Sequence, residues 1–274
     1  IASLRDLILA DPDALIGEIM YREVISVSAC QDQEHVALQL AKFDFLAIPV
    51  VDSEMRLLGI VTHDDVIDVV VEEATEDALR MGSVGAMAES YLAAPFTTVW
   101  RKRAAWLACL FAAELLTFSA LAHFQEAIAA VVVLSLFVPL CISTGGNSGS
   151  QAATLVTRAL ALGEIGVADW WRILRREVVM GLALGVTLGA IGFIRAAATP
   201  HTVLGNVHRW TLALVIAQAV AAICLWGTLV GAILPLVFKR AGIDPAYASS
   251  PFVATLVDVT GIVIYFSIAS AYLL

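Results

Sequence analysis

A chain of 274 residues that is 60% hydrophobic, with a mean hydropathy of +0.86, does not read as one soluble globule. Its charge is divided unevenly: residues 1–100 carry 18 acidic and 5 basic side chains, and the remainder carries 7 and 11. An acidic front excludes docking onto nucleic acid or anionic lipid and suits divalent cations, unless the carboxylates only solvate a surface. The isolated Cys30, Cys109, Cys141 and Cys224 exclude a CxxC zinc site and a disulfide framework.

The first residues, Ile1 to Leu9, lack a basic flank and run into Asp11-Pro12-Asp13, so they do not read as a signal peptide. Ile1-Ala2-Ser3-Leu4-Arg5-Asp6-Leu7-Ile8 can be laid over Ile60-Val61-Thr62-His63-Asp64-Asp65-Val66-Ile67, each copy ending a strand and opening a helix. In the second copy, Leu46 to Val51 and Leu57 to Val61 are β-rich runs about a turn at Asp52-Ser53-Glu54, and Thr62 with Asp65 forms a capping pattern. The matching strands before the first copy are missing, so the natural protein is expected to extend further N-terminally. Phe45-x-x-Ile48-Pro49-Val50-Val51-Asp52 and Leu58-Gly59-Ile60-Val61-Thr62-x-Asp64-Asp65 resemble the second half of a CBS-domain pair. That resemblance implies an adenine-nucleotide site, possible for ATP, at Arg5, Asp6, Phe45 and Asp65; the alternative is that Asp6 and Asp65 are first-turn acids favoured by the helix dipole.

After this region, taken as residues 1–75, a connecting helix is drawn over 76–102, with Gly82 and Gly85 inside it, and a transmembrane domain over 103–274. Five spans follow, at about 104–123, 127–144 with a polar continuation to 162, 178–198, 210–238 and 251–274. Basic residues gather at Arg101-Lys102-Arg103, at Arg158 with Arg172, Arg175 and Arg176, and at Lys239-Arg240. The alternate loops hold only Arg195 and Arg209. The positive-inside rule then makes the acidic region cytosolic and the C-terminus extracytoplasmic.

Two features do not suit a lipid-facing bundle. In Pro139 to Gln151 a hydrophobic helix is expected to dissolve into Ser143-Thr144-Gly145-Gly146-Asn147-Ser148-Gly149-Ser150. Its glycines allow close helix packing, and its freed carbonyls and Asn147 would face a hydrated ion. Asp258 sits seven residues, about 10 Å, into the last span with no basic residue in that span to pair with it. At a cost on the order of 3 kcal/mol in lipid, it should face the interior or a pore, as an ion ligand or as a proton relay or helix contact. Helical spacing puts Ala254, Asp258, Gly261 and Tyr265 on one face. Glu114 in the first span is given no role, and Glu126 lies near an outer end.

Pro139…Thr144-Gly145-Gly146-Asn147-Ser148-Gly149-Ser150-Gln151-Ala152-Ala153-Thr154…Arg158, Gly242-Ile243-Asp244-Pro245 and Pro251-Phe252-Val253-Ala254-Thr255-Leu256-Val257-Asp258-Val259-Thr260-Gly261 together resemble the MgtE magnesium transporters. The resemblance implies an α-helical membrane domain of five transmembrane helices preceded by an α/β CBS remnant and a connecting helix. It also implies a homodimer in the plasma membrane, with a pore lined by the second and fifth spans. There Asp258, the Ala254 carbonyl and Asn147 would meet hydrated Mg²⁺. Regulatory Mg²⁺ is expected among Glu34, Asp44, Asp65, Asp68, Glu73, Glu76 and Asp77, with Asp244 at the membrane edge. Asp77 departs from the family's Glu, and Ser249-Ser250 stand where the family has Asn before this proline. Ser250 is thus the inner pore's candidate side chain. The expected function is passive Mg²⁺ influx gated by cytosolic Mg²⁺.

A CBS-regulated metalloprotease is excluded by the scatter of His35, His63, His123, His201 and His208, which form no HExxH pair, and no enzyme is expected. A proton-coupled cation exchanger and a non-transporting Mg²⁺ sensor stay open, and oxygen ligands alone do not choose among Mg²⁺, Mn²⁺, Co²⁺ and Ni²⁺.

Overall fold

The β-branched runs around Pro49 and Gly59 do form strands. In the computed structural model, which describes residues 1–87 and 91–273, the chain divides into two compact units, Ile1–Thr75 and Glu76–Leu274. The first unit holds α1 (Leu4–Leu9), α2 (Ile16–Ile19), β1 (Val27–Ser28), α3 (Gln33–Phe43), β2 (Ala47–Val51) and β3 (Leu57–Thr62). β1 pairs parallel with β2, which pairs antiparallel with β3 through Ile48 opposite Val61 and Pro49 opposite Ile60. A parallel pair needs a crossover, and α3 supplies it. Asp32 caps α3 by accepting from the Glu34 N–H at 3.0 Å, and Asp44 ends it in the left-handed region at φ 53°. Val27, Val36, Leu40 and Ile48 form the small core, with Phe45, Val50, Val61 and Val66 packed against it.

The turn between β2 and β3 is held by one carboxylate. Asp52 Oδ1 accepts from the N–H groups of Glu54 and Arg56, each at 2.9 Å, and Oδ2 accepts from Arg56 Nε at 2.8 Å. The Arg56 amide and then its guanidinium hold the Asp52 carboxyl below the usual range. α4 (His63–Met81) opens where expected, with Asp65 as the active partner: its Oδ2 accepts from the Thr62 hydroxyl at 2.6 Å and the Thr62 N–H at 3.2 Å.

The connecting helix drawn over 76–102 is not one helix. α4 ends at Met81, where Gly82 and a left-handed Ser83 (φ 58°) stop it, and α5 (Phe96–His123) begins only after Pro95. Residues 88–90 of the expected helix lie outside the described residues.

The second unit continues with α6 (Gln125–Ala130), a 3₁₀ turn Val132–Leu136, α7 (Val138–Ala161), α8 (Trp170–Ala197), α9 (His201–Leu204), α10 (Arg209–Arg240) and α11 (Ser250–Leu273). Among the described residues, five helices are long and apolar enough to cross a membrane: Phe96–His123, Val132–Ala161, Val167–Ala197, Arg209–Arg240 and Ser250–Leu273. α10 is the central one, packed against α7, α8 and α11. Its long buried face includes Leu212, Ile216, Ile223 and Leu236.

One expectation about α7 fails. The stretch Thr144 to Gln151 does not dissolve into irregular backbone; it is helical throughout, and the irregularity lies earlier, at residues 131–137, ahead of Pro139 in the first turn. Its glycines are spent on packing. A Cβ on Gly227 of α10 would collide with the Gly145 carbonyl oxygen, and one on Gly231 with that of Gly149. The helices therefore touch backbone to backbone, the small-residue contact that apolar surroundings favour. Across this seam the Ser148 hydroxyl donates to the Cys224 carbonyl at 3.1 Å. A second seam joins α8 to α10, where Gly185 lies on Ala221 and Gly189 on Ala217. The buried Tyr265 hydroxyl donates to the Leu134 carbonyl at 2.8 Å and so ties α11 to the 3₁₀ turn before α7. Lys239 Nζ donates to the Leu160 carbonyl at 3.2 Å, closing the C-terminal end of α7.

Candidate functional site

Because α7 stays helical, Pro139, Ile142, Ser143, Gly146, Asn147 and Ser150 recur at intervals of three and four and share one face. They line a cavity of about 350 Å³ with Ala254 and Asp258, one turn apart on α11. Asp258 is half-buried, while Ser143 and Asn147 are exposed, so the cavity is a concave face of the chain rather than a closed void. Gly146 makes the approach possible: a Cβ there would lie 3.4 Å from the Ala254 Cβ and 3.8 Å from Asp258 Oδ1. Asn147 Nδ2 donates to Ser143 Oγ at 3.4 Å, and the Ser150 hydroxyl donates to the Ser250 carbonyl at 3.2 Å. The sequence-predicted Asn147, Ala254 and Asp258 are thus brought together. Ser250 is joined to the cavity through its carbonyl and Ser150, and its side chain is not among the lining groups.

The lining is a carboxylate, an amide and two hydroxyls against small and apolar residues, an all-oxygen set suited to a hard cation. Six waters at ~30 Å³ each fit the volume, enough for the shell of a hydrated cation. α5 packs on α11, and Glu114 of α5 lies toward Asp258, a neighbourhood the sequence did not reveal.

A second cluster gathers around Arg80 in the last turn of α4. Its guanidinium pairs with Glu76 one turn back and with Asp244, and it lies over the Tyr247 ring at 5.3 Å. Burial works against its charge, but the carboxylates of Asp244 and Glu76 outweigh that and hold its pKa above the ordinary value. Asp244 is also fixed by accepting from the Ala246 N–H at 2.8 Å, and Ser83 and Ser249 hydrogen-bond beside it at 2.7 Å, buried. Two of the acids expected to hold regulatory Mg²⁺, Glu76 and Asp244, therefore meet, with a cation of the chain between them.

The other expected acids are dispersed. Glu73 accepts from Gln33 Nε2 at 2.8 Å, Asp44 ends α3, Asp65 caps α4, and Asp68 is exposed on α4. Glu34 and Asp77 are half-buried and engaged by neighbours. Among the described residues no group of three or more His, Cys, Asp or Glu is placed to hold a metal ion. Of the nucleotide candidates, Phe45 lines a largely apolar cavity of about 370 Å³ with Leu40, Leu46, His63 and Val70, whereas Arg5, Asp6 and Asp65 lie outside its lining.

The model of a family described as divalent cation transporters, MgtE, matches residues 138–268, and that of the CBS domain matches residues 16–72. The chain is 42% identical over 98% of its length to "Magnesium transporter MgtE" of Thermus thermophilus. It is 36% and 35% identical, over its whole length, to proteins of the same name from Enterococcus faecalis and Bacillus subtilis. It spans 58% of the length of each of these relatives.

Proposed function

The chain belongs to the MgtE family of divalent cation transporters, and from that premise we propose that it carries Mg²⁺ through a path lined by α7 and α11. The observation that carries this reading is the cavity in which Asp258, Asn147, Ser143 and Ser150 face one another. A hydrated Mg²⁺ is held through its waters by the carboxylate and its polar neighbours, because Mg²⁺ gives up its water reluctantly. The cavity is open on one side, and a second copy of the chain closes it: the conducting unit is a homodimer with two Asp258 carboxylates around one path.

The chain sits in the plasma membrane with its acidic region cytosolic, the side on which Arg101-Lys102-Arg103 and Lys239-Arg240 fall. A divalent cation entering down 100 mV gains ~4.6 kcal/mol, twice the single-charge value, so passive influx needs neither ATP hydrolysis nor proton exchange. Such influx calls for a brake, and cytosolic Mg²⁺ acting on the acidic region provides it. The support is charge: 18 acidic against 5 basic residues in the first 100 repel one another until a cation screens them. Among the described residues the expected acids other than Glu76 and Asp244 do not converge, so the screening acts between chains or over the surface as well as at that pair. An adenine nucleotide would take the groove lined by Phe45, and titration of ATP against Phe45→Ala tests that part separately.

The test is Mg²⁺ uptake by the protein in liposomes, with and without Mg²⁺ on the cytosolic face. Uptake that follows membrane potential, ignores a proton gradient and falls with cytosolic Mg²⁺ supports the reading. Uptake that requires a proton gradient identifies an exchanger instead.

A further inference from the structure

At its N-terminal end α8 exposes a face that the ion path does not use. Arg172, Arg175 and Arg176 stand in its first two turns beside Trp171, and a groove of about 600 Å³ runs from them along Val179 and Met180. The opposite face, Ile173, Gly181, Gly185 and Gly189, is the buried one, with its glycines packed against α10. The groove side is open: Trp171 is 61% exposed and Val179 64%. Arg172 pairs with Asp169 at 3.8 Å, with its side chain 87% exposed.

Cations in the first turns of a helix oppose its dipole, so helix formation does not ask for these three arginines here. The end of the helix and the guanidiniums form one positive field, and guanidinium is the side chain that meets phosphate oxygens in pairs. The groove leaving that field is apolar and continues down a helix long enough to span a bilayer. Charged at one end and apolar along its length, it is complementary to an amphiphile with an anionic head. A tryptophan pair, Trp170 and Trp171 with rings 5.6 Å apart, marks the level where head meets chain.

We propose that this face of α8 binds an anionic phospholipid. Its phosphate is held by Arg172, Arg175 and Arg176, and its acyl chain lies along Val179 and Met180. The proposal does not depend on which ion the protein carries.

Native mass spectrometry of the purified protein, with phosphatidylglycerol and phosphatidylcholine of matched chains at equal concentration, tests it. The protein should retain phosphatidylglycerol in preference. Each Arg→Gln change at 172, 175 or 176 should lower that retention about fivefold, the effect of one basic residue at an anionic surface. Arg101→Gln/Lys102→Gln/Arg103→Gln should leave it unchanged. Ala183→Phe, which fills the apolar end with all three arginines intact, should also lower retention and keeps the test valid where a charge variant fails to fold. Equal retention of the two lipids, indifference to the arginine changes, or displacement of the lipid by millimolar inorganic phosphate would each overturn the proposal. So would conversion of a dimer to monomer by Ala183→Phe without loss of lipid, which assigns the face to a second copy.

Discussion

Asp258 on α11 stands against Gly146 on α7, and a side chain on that glycine would begin 3.8 Å from Asp258 Oδ1. The missing Cβ keeps the carboxylate open to the cavity. Gly146→Ala should fold, since its new contacts at 3.4 to 3.8 Å fall in or at the edge of ordinary van der Waals range, yet uptake should drop several-fold as the path narrows. Unfolding midpoint and initial uptake rate, measured on the same preparation, separate the two effects.

Gly231→Ala should behave in the opposite way. Its Cβ would strike the Gly149 carbonyl oxygen, a backbone atom that moves only with its helix. Against ~1 kcal/mol of helix propensity gained, overpacking on the order of 3 kcal/mol should dominate. Thermal unfolding in detergent should show a midpoint several degrees lower. An unchanged midpoint would mean that α7 and α10 separate freely.

Arg80 lies between Glu76 and Asp244, where the proposed regulatory cation would have to displace it. Arg80→Gln removes that competitor and leaves two carboxylates facing each other. Cytosolic Mg²⁺ should then suppress uptake at a concentration on the order of tenfold lower, equivalent to ~1.4 kcal/mol. Suppression at an unchanged concentration would exclude Glu76 and Asp244 from regulation.

The Asp52 turn gives a pH signature. Its carboxyl titrates lower folded than unfolded, so its contribution to stability is fully present above the unfolded value near 3.9 and is lost as pH falls through the lower folded value. Asp52→Asn should flatten that part of the acid unfolding curve and leave the curve above pH ~5 parallel to the original.

How far the sequence revealed this molecule differs from element to element. The spans were legible because apolar runs of bilayer length have few other uses, and Asp258 was legible because an acid without a basic residue in its own span needs a polar surface. The course of α7 was not. Gly145 and Gly149 suit a helix break as well as a close packing, and only the facing Gly227 and Gly231, some 80 residues on, make them a packing seam, while Gly146 faces Asp258. The Gly181, Gly185 and Gly189 spacing on α8 carries the same signal, resolved only by Ala217 and Ala221 of α10. Arg80 was missed because its partner Asp244 is 164 residues away, a separation that no local pattern bridges. The connecting segment was drawn as helix through Gly82 and Ser83, whose left-handed turn at Ser83 ends α4.

If Asp258 faces the transported ion, potential-driven Mg²⁺ uptake should depend on its charge, and Asp258→Asn, which keeps the shape and removes the charge, measures that dependence most directly. Uptake should fall by at least about tenfold, with an unfolding midpoint equal to or above that of the parent and partial recovery in Asp258→Glu. Undiminished uptake in a folded Asp258→Asn protein would contradict this and move the ion path away from the α7–α11 cavity.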